Sequence, residues 1–152
     1  MHLRTDLAAE AHEISKGKAK EIDGVLSDSQ QFEDLEITTV EVTNERGAAA
    51  IEKSIGKYIT ITVPDIKYSQ QSYEKASAAL ATEIKLLGNM TKETKTLVVG
   101  LGNYDVTPDR IGCLTVSQIM VTRHMKKHAP EIFGDEISSV CAISPGVLGT
   151  TG

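Results

Sequence analysis

The sequence predicts an α/β protein with a mostly parallel central sheet flanked by helices. Three observations point there. Thr96–Val99 and Ser139–Ile143 are short apolar runs rich in β-branched residues, with the length of buried strands. Segments of helical spacing alternate with such runs along the chain. Polar, Gly-containing loops follow both runs, at Gly100–Asn103 and Ser144–Gly146, where the strands of a parallel sheet hand over to the next element. The 152 residues suffice for one domain with a sizeable core, and residues 1–152 are read as one α/β domain.

The elements follow in order. Between Arg4 and Lys20, Leu7, Ala8, Ala11 and Ile14 have roughly helical spacing, which predicts a surface helix or an ordered arm. Gly24–Gln31 is rich in Ser and Asp and reads as a loop. Leu35–Thr43 and Lys57–Val63 alternate apolar and polar residues and read as half-buried strands. Between them, a turn at Asn44–Gly47 and a short helix ending near Gly56 suggest a β–α–β-like unit. A hairpin with a helical insertion is the alternative. Pro64 and Asp65 end the strand. Ser69 or Ser72 caps a helix running to about Leu87, with Tyr73, Ala76, Leu80, Ile84 and Leu87 on one apolar face and Gly88-Asn89 as its stop.

The strand Thr96–Val99 is broken by Gly100 and Gly102, and Asn103 and Asp105 suit a turn. Thr107 stands where an N-cap belongs and Pro108 at the first helical position, which puts Asp109 in the first turn. The helix is expected from about Asp109 to His124, with Ile111, Leu114, Ile119 and Met120 as core contacts. Ala129, Pro130 and Gly134 mark a break before the strand Ser139–Ile143. No helix follows that strand to pack back onto the sheet, so the architecture is expected to be part of a larger fold.

Composition narrows the function. Apolar residues make up 40% and charged residues 24%, which is ordinary for a soluble globular protein. A net charge of −5 gives no broad basic surface, and 4% aromatics with no Trp gives no base-stacking platform, so direct nucleic-acid binding is disfavoured. No apolar run reaches the length of a membrane span, and the N-terminus lacks a secretory core. Cys113 and Cys141 are isolated and read as reduced thiols in a cytoplasmic compartment.

Asp109 is the foremost chemical candidate. The start of a helix favours a carboxylate in its charged form, which can act as general base toward a water. Acidic residues also occur in first helical turns with no chemical role, and spacing alone favours that plainer reading. Hydrolysis by carboxylates ordinarily needs a second one, and Asp105 is either that partner or a turn residue. Gly100–Asn103 lacks the GK[ST] of a phosphate loop, and Asp105 stands where GxGxxG needs its third Gly. Arg123, His124, Lys126, Lys127 and His128 form a basic cluster near an expected helix C-terminus, where the helix dipole favours positive charge without any further role. His124 and His128 lack the Glu of HExxH, so no metal site is assigned. Cys113 is read as a packing residue. In a parallel sheet, Ser144 and Thr150 fall on the same edge as Asp109.

Four separated blocks carry a resemblance: Arg4–Ala8 with Glu10–Glu13, VVGLGNYDVTPDRIG at Val98–Gly112, VTRH at Val121–His124, and AISPGVLGTTG at Ala142–Gly152. Together they resemble the N-terminal half of the spore germination protease family of endospore-forming Firmicutes. That resemblance implies an endopeptidase that degrades small acid-soluble spore proteins in the spore core. It implies a homotetramer made in the forespore as a self-activating zymogen, without cofactor or membrane attachment. It also implies a fold similar to the hydrogenase-maturation endopeptidases and an aspartate-based mechanism. By motif match the proposed catalytic Asp falls on Asp109. Asn103 and Thr107 shape its loop, Ser144 and Thr150 help line the cleft, and the second Asp lies beyond Gly152. Cys113 stands where the family commonly has Pro. Two alternatives are a metal-assisted, maturation-type cleavage with Asp109 and His124 as ligands, and an inactive truncated fragment.

Overall fold

A computed structural model describes residues 7–11, 22–32, 34–64, 66–67, 69–133 and 137–147. The chain divides into two compact units, Met1–Gly88 and Asn89–Gly152. It is mixed α and β, but its larger sheet is not parallel.

The first unit holds a three-stranded antiparallel sheet in the order β1-β2-β3, formed by Val25–Phe32, Leu35–Val42 and Gly56–Thr62. Two expectations change here. Gly24–Gln31 is not a loop: β1 occupies it and pairs with β2 from Val25↔Val42 to Phe32↔Leu35. Only Val25 of β1 is buried, so its polar residues suit an exposed edge strand. The segment from β2 to β3 is the hairpin with a helical insertion, because the two strands run antiparallel. The apolar–polar alternation of β2 was the signature of that arrangement. Parallel strands buried on both faces run continuously apolar instead.

Helix α1, Glu45–Ile51, is the insertion. The Asn44 side chain accepts from the Gly47 N–H at 2.9 Å and caps it. Alternation on the strands puts Val25, Val40 and Val42 on one face. They form the core with Ile51 of α1 and with Ala8 and Ala11 of a helical turn, and Tyr58 packs at its margin. Ile14 of the expected N-terminal helix lies outside the described residues.

Helix α2 spans Gln70–Leu87, with Ser69 as its cap, as expected. Asn89 takes the left-handed conformation just beyond it. Its apolar face is less covered than expected, and no residue of α2 is buried. Ala76, Leu80, Ile84 and Leu87 instead share an open groove of about 370 Å³ with Ile59, Ile61 and Val63.

The second unit holds the parallel pairing. β4, Lys95–Val99, and β5, Ser139–Ile143, pair from Lys95↔Ser139 to Val99↔Ile143. The expected helix from Asp109 to His124 is broken. Thr107–Asp109 is a single 3₁₀ turn, α3 runs Ile111–Gln118, and α4 runs Arg123–His128. α5, Pro130–Phe133, precedes β5. Thr107 is not an N-cap: Val106 holds that position, without a side-chain bond. The break before α4 has a cause. Ile119 is extended, and Thr122 is drawn into pairing with β5 through its N–H to the Val140 carbonyl at 3.0 Å. The expected core contacts change accordingly. Ile111 and Met120 are both 76% exposed, and Cys113 is buried in their place. Among the described residues no helix is long and apolar enough to cross a membrane.

Gly47 gives the fold a test in which two effects oppose. Alanine at a helical position is worth up to about 1 kcal/mol over glycine. A Cβ there, however, collides with the Gly24 carbonyl, whose oxygen accepts from the Thr43 N–H. Overpacking costs about 1–3 kcal/mol, so Gly47→Ala is expected to destabilise the chain. A higher urea midpoint for the variant would show that this contact is not tight.

Candidate active site

The candidate site is the loop from Gly100 to Asp109, held between the end of β4 and the start of α3. Backbone approach shapes it. A Cβ on Gly100 collides with the Gly112 carbonyl, and one on Gly112 with the Leu101 carbonyl. Only glycines let the first turn of α3 settle on the strand end. Gly102 has φ +133°, a conformation L side chains rarely adopt, and a Cβ there collides with the Asp109 carbonyl. The chain therefore turns sharply enough to bring Asp109 back over the loop.

That turn sets the carboxylate. Asp109 Oδ2 accepts from the Asn103 backbone N–H at 2.9 Å. The Asn103 side chain accepts from the Asp105 N–H at 3.0 Å, and its carbonyl accepts from the Val106 N–H at 3.2 Å. Asp105 is thus a turn residue by its backbone, as one of the two sequence readings had it. The Asp109 N–H donates to the Val106 carbonyl at 2.9 Å, closing the 3₁₀ turn. The carboxylate is exposed, and Oδ1 has no hydrogen-bond partner among the described residues. Such an oxygen is open to a water or a substrate.

The parallel pairing brings the loop after β5 to the same edge. The Gly100 N–H donates to the Ile143 carbonyl at 2.9 Å, extending the ladder past Val99. Ser144 follows at once. Its hydroxyl donates to Cys113 Sγ at 3.1 Å, and the Cys113 thiol donates to the Gly102 carbonyl at 3.3 Å. Cys113 is a free thiol, 7% exposed, so its part is packing and bridging. This bridge between the two loops was not read from the sequence. Nothing in a lone Cys two residues into a helix signals it.

The remaining candidates are distributed. Asn103 contributes its backbone and side chain to the loop, and Thr107 is exposed in the 3₁₀ turn. Thr150 lies outside the described residues. His124 sits on α4, in a different element from Asp109. Among the described residues no group of three or more His, Cys, Asp or Glu is gathered as metal ligands would be. Thr122 also escaped the sequence reading. It is 7% exposed, donates to the Ser138 carbonyl at 2.6 Å and accepts from the Val140 N–H at 2.9 Å, pinning the start of α4 to β5.

Comparison with known proteins places this arrangement in a family. A family model described as germination protease matches residues 4–152. A germination protease of Clostridium perfringens (strain SM101) is 47% identical over 99% of this chain and 47% of its own length. One from Caldanaerobacter subterraneus subsp. tengcongensis is 48% identical over 99% of this chain and 46% of its own length. One from Bacillus subtilis (strain 168) is 37% identical over 99% and 43%. The chain spans about half the length of the curated relatives it matches. The match covers both units, including the Gly100–Asp109 loop, and the chain belongs to the germination protease family.

Proposed function

We propose that the whole protein is an endopeptidase that degrades small acid-soluble spore proteins when germination begins. One observation carries the reading to this chain: an exposed carboxylate, fixed through one oxygen by a backbone N–H, at the strand-end edge of a parallel pair. The family membership of residues 4–152 supplies the reaction class.

In this reading Asp109 is the catalytic carboxylate. Oδ2 stays on the Asn103 N–H, and Oδ1 accepts a proton from a water as that water attacks the scissile carbonyl. Protonating the leaving amine needs a group in the opposite protonation state, so a second carboxylate completes the pair. It belongs to a part of the protein outside these 152 residues. Asn103 and Thr107 set the loop, while Ser144 and Thr150 line the cleft from the β5 side. Residues 1–152 form the N-terminal portion of one α/β catalytic domain, with a fold similar to the hydrogenase-maturation endopeptidases. The protein acts in the spore core as a homotetramer derived from a self-activating zymogen.

Asp109→Asn separates chemistry from architecture. An amide oxygen at position 109 still accepts from the Asn103 N–H, so the loop is expected to persist, but an amide is no general base. Cleavage of a small acid-soluble spore protein by the whole encoded protein should fall roughly 10²–10⁴-fold, with an unchanged melting temperature. Wild-type cleavage by this variant would remove Asp109 from the mechanism.

Gly102→Ala tests the loop itself. Strain at φ +133° and the collision with the Asp109 carbonyl should displace the carboxylate. Activity is expected to fall even where circular dichroism still reports a folded chain. An active Gly102→Ala protein would show that this turn does not set the site.

A further inference from the structure

Five cationic side chains gather where β4 and β5 begin, at the other end of the parallel pair from Asp109. Lys92 and Lys95 come from the turn before β4 and from its first residue. Arg123, Lys126 and Lys127 come from α4, where spacings of three and four place them on one helix face. With Glu93 and Ser139 they line a concavity of about 350 Å³. Glu93 is the one carboxylate among these lining residues. None of the five cations makes an ion pair among the described residues.

The helix dipole does not account for the cluster. It favours Lys126 and Lys127 in the last turn of α4, but it disfavours Arg123 at the first position and is silent on Lys92 and Lys95. Arg123 is also held in place. Thr122 pins its helix to β5, and Arg123 Nη1 reaches Cys141 Sγ at 3.6 Å. The Glu93 carboxyl is held below its ordinary value, first by the Thr91 hydroxyl and its own backbone N–H and then by the charge of Lys126, which lines the same concavity. With Glu93 as the single carboxylate beside them, the five clustered cations, in a chain of net charge −5, repel one another with little return inside the concavity. An anionic partner supplies the return.

The surroundings decide what kind of anion. A second, smaller concavity adjoins through Lys95, Arg123 and Ser139 and is floored by Thr96, Leu97 and Cys141. Leu97 is exposed there. Neither concavity has an aromatic residue on which a base could stack. Cations beside an exposed aliphatic floor match a carboxylate side chain next to an apolar one.

We propose that this surface docks an acidic segment of a polypeptide, carrying Glu or Asp beside apolar residues, apart from the cleavage loop. As a substrate surface it rests on the endopeptidase reading above. β4 is about 13–16 Å long at ~3.3 Å per residue, so an extended substrate of a few residues spans from this surface to the Asp109 edge.

The test uses the whole encoded protein carrying Asp109→Asn, so that nothing is cut during binding. The probes are a labelled short peptide of alternating Glu and Leu, the same peptide with Gln for Glu, and a single-stranded oligonucleotide. Fluorescence anisotropy is read at low and at physiological salt. The Glu peptide is expected to bind more tightly at low salt, and the Gln peptide not to bind. The triple variant Lys95→Gln/Arg123→Gln/Lys126→Gln should weaken binding about tenfold or more. The triple Lys95→Arg/Arg123→Lys/Lys126→Arg, which keeps the charge, should restore it. In the Asp109 protein, the neutral triple should raise KM for an acidic protein substrate with kcat unchanged, which misfolding would not do. Equal binding by the neutral triple and its parent, or tighter binding of the oligonucleotide through the same residues, overturns the proposal. Cleavage without Glu-peptide binding sinks the docking surface and leaves the endopeptidase standing. Charge-dependent peptide binding without any cleavage does the reverse.

Discussion

The structure of the second unit depends on one constraint: backbone must lie directly on backbone where β4 meets α3. Gly100 faces the Gly112 carbonyl, Gly112 faces the Leu101 carbonyl, and Gly102 faces the Asp109 carbonyl. A methyl group at any of the three positions would force the elements apart. Everything that makes the loop chemically specific follows from that approach. The 3₁₀ turn can close, the Asn103 N–H can reach Asp109, and the Cys113 thiol can reach the Gly102 carbonyl. The first unit uses the same device at a different place. There Gly47 lets the first turn of α1 rest on the Gly24 carbonyl, and Gly24 itself leaves room for the Asn44 cap. In both units a glycine in a helix meets the backbone beside a strand end, and the helix start is where the polar groups are arranged.

How much of this was legible varies with the length scale of the cause. Strand β5 and the last residue of α2 were read directly, because composition and a local stop decide them. β1 was missed because its stability is not in its own residues. Seven of its eight side chains are exposed, and it exists through the backbone ladder to β2. The parallel sheet was over-extended for a related reason. Alternation of strands and helices says nothing about direction, whereas the polar–apolar alternation inside β2 did. The Thr107-Pro108 signal is shared by a 3₁₀ turn and an α-helix, so the sequence alone extends the helix at Asp109 too far. What breaks it is the pairing of Thr122 with β5, 18 residues away in sequence at Val140.

The geometry of the candidate site was legible in part for the same physical reason. That the two Gly-containing loops would share an edge follows from parallel pairing alone, and β4 and β5 do pair that way. That Asn103 would hold Asp109 follows from φ at Gly102, which no spacing rule encodes. Sequence placed Asp109 beside the free N–H groups of a helix start. In the structure its partner is instead a loop N–H six residues earlier. A loop donor of this kind fixes one oxygen and leaves the other outward, which a general base needs and a helix cap does not.

Direction also separates the charges. In a parallel pair all carboxyl ends lie at one edge and all amino ends at the other. Asp109 and Ser144 belong to the first edge, and Lys92, Lys95 and Ser139 to the second. A strand length of about 13–16 Å exceeds the Debye length of about 8 Å at physiological ionic strength. Across exposed surface the lysines at that edge are therefore screened from Asp109. Had β4 and β5 been antiparallel, the loop after one strand would open beside the start of the other. The cations of α4, whose start Thr122 pins to β5, would then stand on the side of the carboxylate, where an ion pair would occupy the oxygen that Asn103 leaves open. The parallel pair, small as it is, thus keeps an open carboxylate and an unpaired cationic surface in one unit without either neutralising the other.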